Sequence, residues 1–396
     1  METIGVIAEY DPFHSGHAYH LAQVRAAFGA DCAIVCAMSG HFVQRGEAAL
    51  ADKWRRAGLA LRGGADLVLE LPTLWAASSA ERFARGGVSL LAATGVVDRL
   101  SFGSETGDLA PLAAVADHLA GDGWQEGLRC GLDAGLSFPA ARQRAVEEQL
   151  GPAAAACLRA PNDTLGIEYL RAIRTLGGGM TAHTVPRRGA GHGTETVAEH
   201  VSASYLRARI LAEDPAPLGP YLSAADEAAL RADPASLRWA ERAVLARLRT
   251  MGRADFAALP DSGEGLGDRL YAAAQRGRTL EEVYALAKTK RYAHARIRRM
   301  VLWAFLHLTE ADRPERPPYL RVLGFTARGQ QLLRRMKETA ALPVLVKPAH
   351  AARLPEEARR VFALEARCTA LYDVCRREFG RTAGRNEWTQ GPVRQG

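Results

Sequence analysis

The stretch Ile4-Gly-Val-Ile-Ala-Glu-Tyr-Asp-Pro-Phe-His-Ser-Gly-His17, continued by Ala-Tyr-His-Leu-Ala-Gln-Val-Arg25, decides how the chain is read. Residues 4–8 form an apolar run of strand length, and Asp11-Pro12 punctuates a turn. From Gly16 to about Phe28 the spacing predicts an amphipathic helix with Leu21, Val24 and Phe28 on one side. His14 and His17 therefore stand where a strand passes into a helix N-terminus. That place carries partial positive charge and unpaired backbone N–H groups, which suit a phosphate. Gly16 leaves room for a phosphate to approach the backbone. Two imidazoles three residues apart can converge on one group. The competing readings of the pair are a helix cap and a fragment of a metal site. No Cys/His cluster follows at zinc spacing, so no metal site is expected.

Outward from this stretch the first half alternates strand and helix. Strands are expected at residues 32–38, 65–71, 97–102 and 180–185, and helices at about 49–62, 77–93, 165–176 and 202–211. Near-continuous apolar strands alternating with helices imply an α/β fold, a doubly wound parallel sheet. In such a sheet the ligand sits beyond the carboxyl ends of the strands. The loops carrying His14/His17, Gln44/Arg45, Gly103/Ser104/Glu105 and Arg187/Arg188 are therefore expected to meet, with glycines for close approach and cations for a triphosphate. On the residues alone Asn162 reads as part of a helix start capped by Asp163 or Thr164. Asp52, Lys53 and Arg56 read as surface.

From about residue 215 strand signals largely vanish and helical runs dominate, at 224–231, 237–250, 267–276, 280–286 and 294–308. This divides the chain into residues 1–212, an ATP-binding unit, and 213–396, a mainly α-helical basic unit; residues 377–396 read as a frayed basic tail. With 24% charged and 48% hydrophobic residues the composition is that of an ordinary globular protein. No apolar stretch approaches the ~20 residues of a membrane span, no secretory signal is expected, and the six cysteines form no C-x-x-C. A cytoplasmic protein with reduced, mostly buried cysteines is expected. The net charge of +7 is compatible with a polyanionic partner. Lys288, Lys290, Arg291, Arg296, Arg298 and Arg299 cluster around Tyr292, and basic residues continue from Arg313 to Lys337. Such a patch suits a nucleic-acid backbone, with a solvated basic face as the competing reading.

The form His-x-Gly-His resembles the signature of the nucleotidyltransferase superfamily that includes class I aminoacyl-tRNA synthetases and small adenylyltransferases. The likeness implies histidines that hold ATP phosphates. A longer series of runs, EYDPFHSGHAYHL, MSGHFVQRGEAALADKWRRAGLAL, GADLVLELP, SAERFARGGVSLL, LSFGSETGDL, PNDTLGIEYL, VPRRGAGHG, VSASYLRARI, LAKTKRYAHARIRRM and RVLGFTARGQQLL, resembles the bacterial tRNA(Met) cytidine acetate ligase family across nearly the whole chain. That resemblance implies formation of acetyl-adenylate from ATP and acetate, then acetylation of N4 of the wobble cytidine of elongator tRNA(Met). It implies ATP contacts from the first loop and helix (Ile7, Tyr10, Phe13, His14, Gly16, His17, His20) and from Gly103, Asn162, Arg187 and Arg188, with Mg2+ as an optional companion of the triphosphate. An acetate pocket would be lined by Tyr10 and Phe13. The tRNA would lie on Lys288, Lys290, Arg291, Arg296 and Arg299. The chain departs from the family in Asp11 and His41, where Asn is usual, and in His192-Gly-Thr after the arginine pair. Rival readings are an adenylyltransferase acting on a small cofactor precursor and a non-enzymatic nucleotide- and RNA-binding protein. The long basic second half argues against the first, the intact histidine motif against the second.

Overall fold

A computed structural model describes residues 1–187, 201–380 and 386–395. Arg188 and His192 lie outside the described residues. The strands in chain order are β1 (Thr3–Ala8), β2 (Ala33–Ser39), β3 (Phe42–Val43), β4 (Glu47–Ala48), β5 (Leu67–Leu71), β6 (Arg99–Ser104), β7 (Thr181–Pro186), β8 (Leu320–Phe325), β9 (Val344–Leu345) and β10 (Val393–Arg394). β3 and β4 make a small hairpin; the others form one sheet in the order β10-β8-β5-β2-β1-β6-β7, with β9 paired to β8. β1 lies parallel between β2 and β6, with Ile4 opposite Ile34 on one side and Arg99 on the other. The chain runs from β1 outward to β2 and β5, then returns to the opposite side for β6 and β7. The reversal falls between β1 and β6, which is where open sheets of this kind part to admit a ligand.

Successive side chains of a strand point to opposite faces, so runs that are apolar throughout build two cores. Ile4, Val6, Ile34, Cys36, Met38 and Val68 pack against Leu21 and Val24 of α1 (Ser15–Phe28) and against Trp54 and Leu61 of α2 (Lys53–Arg62). Ile7, Val35, Ala37, Leu67 and Leu69 face the other way, under the helices Ala80–Ala92 and Pro161–Leu176. Each Val, Leu, Ile or Met among them contributes about 1.5–3 kcal/mol by leaving water.

The second half supplies the expected helices, among them Leu280–Ala287 and His294–Phe305. It also supplies strands where the sequence reading had none. β8 joins the sheet antiparallel to β5, and β10 joins β8. The apolar run Leu320–Phe325 is broken at its second residue by Arg321, which hides its strand character. The arginine is tolerated because its fully buried guanidinium donates from Nε to Glu387 Oε1 at 2.9 Å. Residues 386–395 are accordingly no frayed tail. Glu387 is fully buried and shares the ammonium of Lys53, which also donates to Glu70 Oε1 at 2.6 Å. Nor are Asp52, Lys53 and Arg56 surface residues; all three are buried. The guanidinium of Arg56 donates to the carbonyls of Ala51, Glu9, Ser39 and Gly40, and so stitches together the loops that follow β1 and β2.

Burial alone would lower the basicity of Lys53, but Glu387 and Glu70 outweigh it and raise the pKa. Burial pushes against Glu387 too, and the cations Lys53 and Arg321 overcome it, so this carboxyl is held below its usual range. Removing one member of a buried pair leaves an uncompensated charge, which costs about 3–5 kcal/mol. Glu387→Ala should therefore lower the unfolding free energy by about that amount in urea denaturation. A midpoint equal to that of the unaltered chain would show that residues 386–395 are dispensable to the fold.

Candidate active site at the carboxyl end of β1

β1 ends at Ala8, and Glu9, Tyr10 and Asp11 carry the chain over the edge of the sheet, with Tyr10 in the left-handed region at φ +49°. Asp11 is anchored twice: Oδ1 accepts the Leu50 amide at 2.6 Å, and Oδ2 faces Arg207 of the helix Ala203–Leu211 at 3.1 Å. Beyond this anchor His14 takes the N-cap position of α1 in extended geometry.

The cap is built from imidazole. Gly16 N–H donates to His14 Nδ1 at 3.0 Å, and His14 N–H donates to His17 Nδ1 at 3.3 Å. The two rings lie 4.1 Å apart, centroid to centroid. A backbone N–H can only donate, so both Nδ1 atoms are acceptors and each neutral ring carries its hydrogen on Nε2. Gly16 is required here for a reason other than room for a phosphate: a β-carbon would stand 2.8 Å from His14 Cε1. The other amides of the first turn are spent as well, Ser15 N–H on the Tyr221 carbonyl and His17 N–H on the His14 carbonyl. A phosphate at this helix end would therefore meet the two Nε2–H groups and the positive end of the helix dipole, not free amides. Burial, the neighbouring His14 and then Arg187 push the His17 pKa well below 6.5, so the ring is neutral at pH 7.

The side chains of Ile7, Tyr10 and Phe13 turn into the core and are buried. Tyr10 and Phe13 back the His17 ring at 4.9 and 5.6 Å. The Tyr10 hydroxyl meets Cys36 Sγ at 3.4 Å. His20 is hydrogen bonded through Nε2 to Ser101 Oγ at 2.9 Å, and the same hydroxyl meets His183 Nδ1 at 3.1 Å. Burial, His183 and Arg187 push His20 down to about 4.

The opposite wall comes from β6, β7 and the helix Pro161–Leu176. The Arg187 side chain crosses Gly103, its Cγ 3.2 Å from where a β-carbon would be, and its Nη1 donates to Asn162 Oδ1 at 3.3 Å. Arg187 N–H donates to the Ser104 carbonyl at 2.9 Å, which holds the residue at the strand end. Neither Asp163 nor Thr164 caps the helix, which begins at Pro161. Glu105 does so from outside: Oε2 accepts the Asp163 amide at 2.9 Å and Oε1 accepts Asn162 Nδ2 at 2.6 Å. Asp163 returns the contact through Oδ1 to the amides of Glu105 and Thr106, at 2.8 and 3.1 Å. This exchange clamps the loop after β6 to the helix and fixes the Asn162 that orients Arg187. Asp163, Ser101, His183, Asp11 and Arg207 were not read from the sequence as site-forming residues. A polar residue beside an invisible partner gives no local signal.

The hairpin β3–β4 closes the third side. Gln44 N–H donates to Glu9 Oε1 at 2.6 Å, and Arg45 Nη1 donates to Ser204 Oγ at 2.6 Å. Gly46, at φ +74°, lies so close to the helix His294–Phe305 that a β-carbon would stand 2.5 Å from the Arg298 backbone. The basic stretch of the second half is thus docked beside the site. Its members differ in availability. Arg296 is tied to Glu264 at 2.8 Å, Arg299 to Asp261 at 3.1 Å, and Lys288 to the carbonyls of Thr289 and Tyr292. Lys290 and Arg291 are exposed, with no side-chain ion-pair partner among the described residues.

The pattern of the family described as HIGH Nucleotidyl Transferase matches residues 1–387. The tRNA(Met) cytidine acetate ligase of Thermoanaerobacter sp. (strain X514) is 35% identical over 359 residues, which cover 88% of this chain and 89% of that one. The protein of the same name from Acetivibrio thermocellus is 33% identical, with 99% and 100% covered. Among solved structures, Thermotoga maritima TmcAL in its apo form superposes with a TM-score of 0.93 at 30% identity, over 100% of this chain and 99% of that one. The same protein bound with alpha-thio ATP superposes with a TM-score of 0.91 over the same shares. Histidines that cap α1 at the sheet's point of reversal, in a chain matched end to end by these proteins, place it in the HIGH nucleotidyl transferases, and within them the chain belongs to the tRNA(Met) cytidine acetate ligase family.

Proposed function

We propose that this chain is an ATP-dependent ligase that activates acetate as acetyl-adenylate and transfers the acetyl group to N4 of the wobble cytidine of elongator tRNA(Met), acting in the cytoplasm. The observation that carries this reading is the pair of imidazoles at the carboxyl end of β1, each accepting an amide at Nδ1 and so carrying its hydrogen on Nε2, across from Arg187 on Asn162. The names of the relatives and the alpha-thio ATP complex of the structural neighbour support it. No helix among the described residues is long and apolar enough to cross a membrane.

In the first half-reaction an acetate oxygen attacks the α-phosphorus in line and pyrophosphate leaves. The protein's task is positioning and charge stabilisation. Neutral Nε2–H donors of His14 and His17 would hold oxygens of the reacting phosphates. Arg187, a planar fork of donors held by Asn162, would hold the leaving end, with Arg188 beside it in sequence. Ile7, Tyr10 and Phe13 would act through their backbone and by bracing His17, and Gly103 by letting Arg187 lie low. An accompanying Mg2+ would supply countercharge to the triphosphate.

In the second half-reaction an unpaired anticodon base must be turned out of its stack to present its amine. Residues 1–212 would do the chemistry and 213–396 would hold the tRNA, with the sheet shared between them. The close packing of Gly46 on the basic helix favours this over an adenylyltransferase for a small precursor, which has no use for a cationic surface beside its site. Lys290 and Arg291 would meet tRNA phosphates, with Lys288, Arg296 and Arg299 shaping that surface.

His14→Ala or His17→Ala should lower acetate-dependent ATP–pyrophosphate exchange by ~10²–10³, the usual loss on deleting one transition-state donor. Exchange near the unaltered rate would remove the histidines from the mechanism. The double variant Lys290→Glu with Arg291→Glu should weaken tRNA binding and flatten its salt dependence by about one unit of slope per lost phosphate contact. Exchange without tRNA should stay level in that variant, and unchanged tRNA affinity would place the tRNA elsewhere.

A further inference from the structure

Acetyl transfer to an amine releases a proton, and the groups assigned above cannot receive it. His14 and His17 have each committed Nδ1 to a backbone amide and carry hydrogen on Nε2, so both are donors. The guanidinium of Arg187 has donors only and no acceptor. Among the described residues four carboxylates, Asp11, Glu105, Asp163 and Glu9, belong to the loops and helix start at this end of the sheet, and three of them are spent. Asp11 gives Oδ1 to the Leu50 amide and Oδ2 to Arg207. Glu105 gives both oxygens to Asn162 and Asp163. Asp163 gives Oδ1 to two amides and Oδ2 to the Thr106 hydroxyl.

The fourth is Glu9, the first residue beyond β1. Its Oε1 accepts the Gln44 amide at 2.6 Å, while Oε2 has no hydrogen-bond or ion-pair partner among the described residues. The residue is half-buried, at the same carboxyl end of β1 from which the chain runs on to His14 and His17. Its main chain is held independently, through the Arg56 guanidinium on the Glu9 carbonyl. The carboxylate thus rests on a rigid strand end with one oxygen aimed by the hairpin and the other uncommitted.

We infer that Glu9 is the general base of the acetyl-transfer step, with Oε2 as the proton acceptor. This rests on the ligase reading above. The amine lone pair forms the C–N bond to the acetyl carbon. The bond from that carbon to the adenylate oxygen breaks, and its electron pair leaves with AMP. The proton on nitrogen passes to Oε2 and from there to water. Burial raises the pKa of this carboxyl, and Asp11 adds to it, against the Gln44 amide, Arg45 and Arg56. A carboxylate of raised basicity suits a base working near neutral pH. Tyr169 is a further titratable group facing it, and burial holds that phenol protonated by pushing its pKa well above 10.

The test separates the two half-reactions in Glu9→Gln, which still accepts the Gln44 amide through its side-chain carbonyl. Acetate-dependent ATP–pyrophosphate exchange should fall by less than tenfold. Transfer to tRNA in a single turnover should fall by ~10²–10⁴, the span ascribed to general base catalysis, and lose the acid limb of its pH profile. Glu9→Asp should keep that limb at an intermediate rate, which a merely structural role would not predict. Equal loss in both half-reactions with an unchanged melting temperature, or transfer at the unaltered rate, would overturn the assignment. An unaltered chain with no acetate-dependent exchange at all would overturn the ligase reading first, and this inference with it.

Discussion

The amide of Gly16 donating to the imidazole of His14 is the contact on which the rest of the site depends. A helix N-terminus normally offers its first amides to an anion. Here the first turn of α1 has used them internally, on His14 and on the Tyr221 carbonyl. The helix Pro161–Leu176 has likewise spent its leading amides on Glu105. In the proposed function recognition of a polyphosphate would thereby move from the backbone to side chains, and those side chains are held in one tautomer and one orientation by the amides they have captured. What looks like a cap is also the device that makes both rings donors.

Such a site needs a rigid edge beneath it. The loops after β1 and β2 carry main-chain carbonyls that no strand can satisfy, and the buried Arg56 takes several of them at once. A second buried group, Lys53 between Glu70 and Glu387, ties α2 to the sheet and to the last described stretch of the chain. Ion pairs of this depth add little net stability over an apolar core of equal volume, but they tolerate no missing partner. They make the far end of the sequence a condition for the near end to hold its shape.

The hairpin β3–β4 is where these parts meet the second half. One amide of it holds Glu9, one side chain reaches Ser204, and its glycine presses on the helix that follows the exposed Lys290 and Arg291. In the proposed function the surface that would receive a polyanion and the crevice that would activate a carboxylate lie only a handful of residues apart, as transfer from a small substrate to a large one requires.

The alternation of apolar strands and helices from residue 4 to 211, and the position of His14 and His17 after the first strand, could be read from the chain alone, because strand length, helical period and turn residues are local properties. The same locality explains the errors. Lys53 and Arg56 look like the exposed start of a helix until Glu70, Glu387 and three distant carbonyls are brought around them; Arg321 disguises a strand until Glu387 neutralises it; Glu9 and Glu105 are two ordinary carboxylates until folding commits one and leaves an oxygen of the other uncommitted. Order along the chain determined which elements form and which loops share an edge of the sheet. Only the tertiary structure decided which donors and acceptors are spent and which remain for a ligand, since that depends on partners tens to hundreds of residues away.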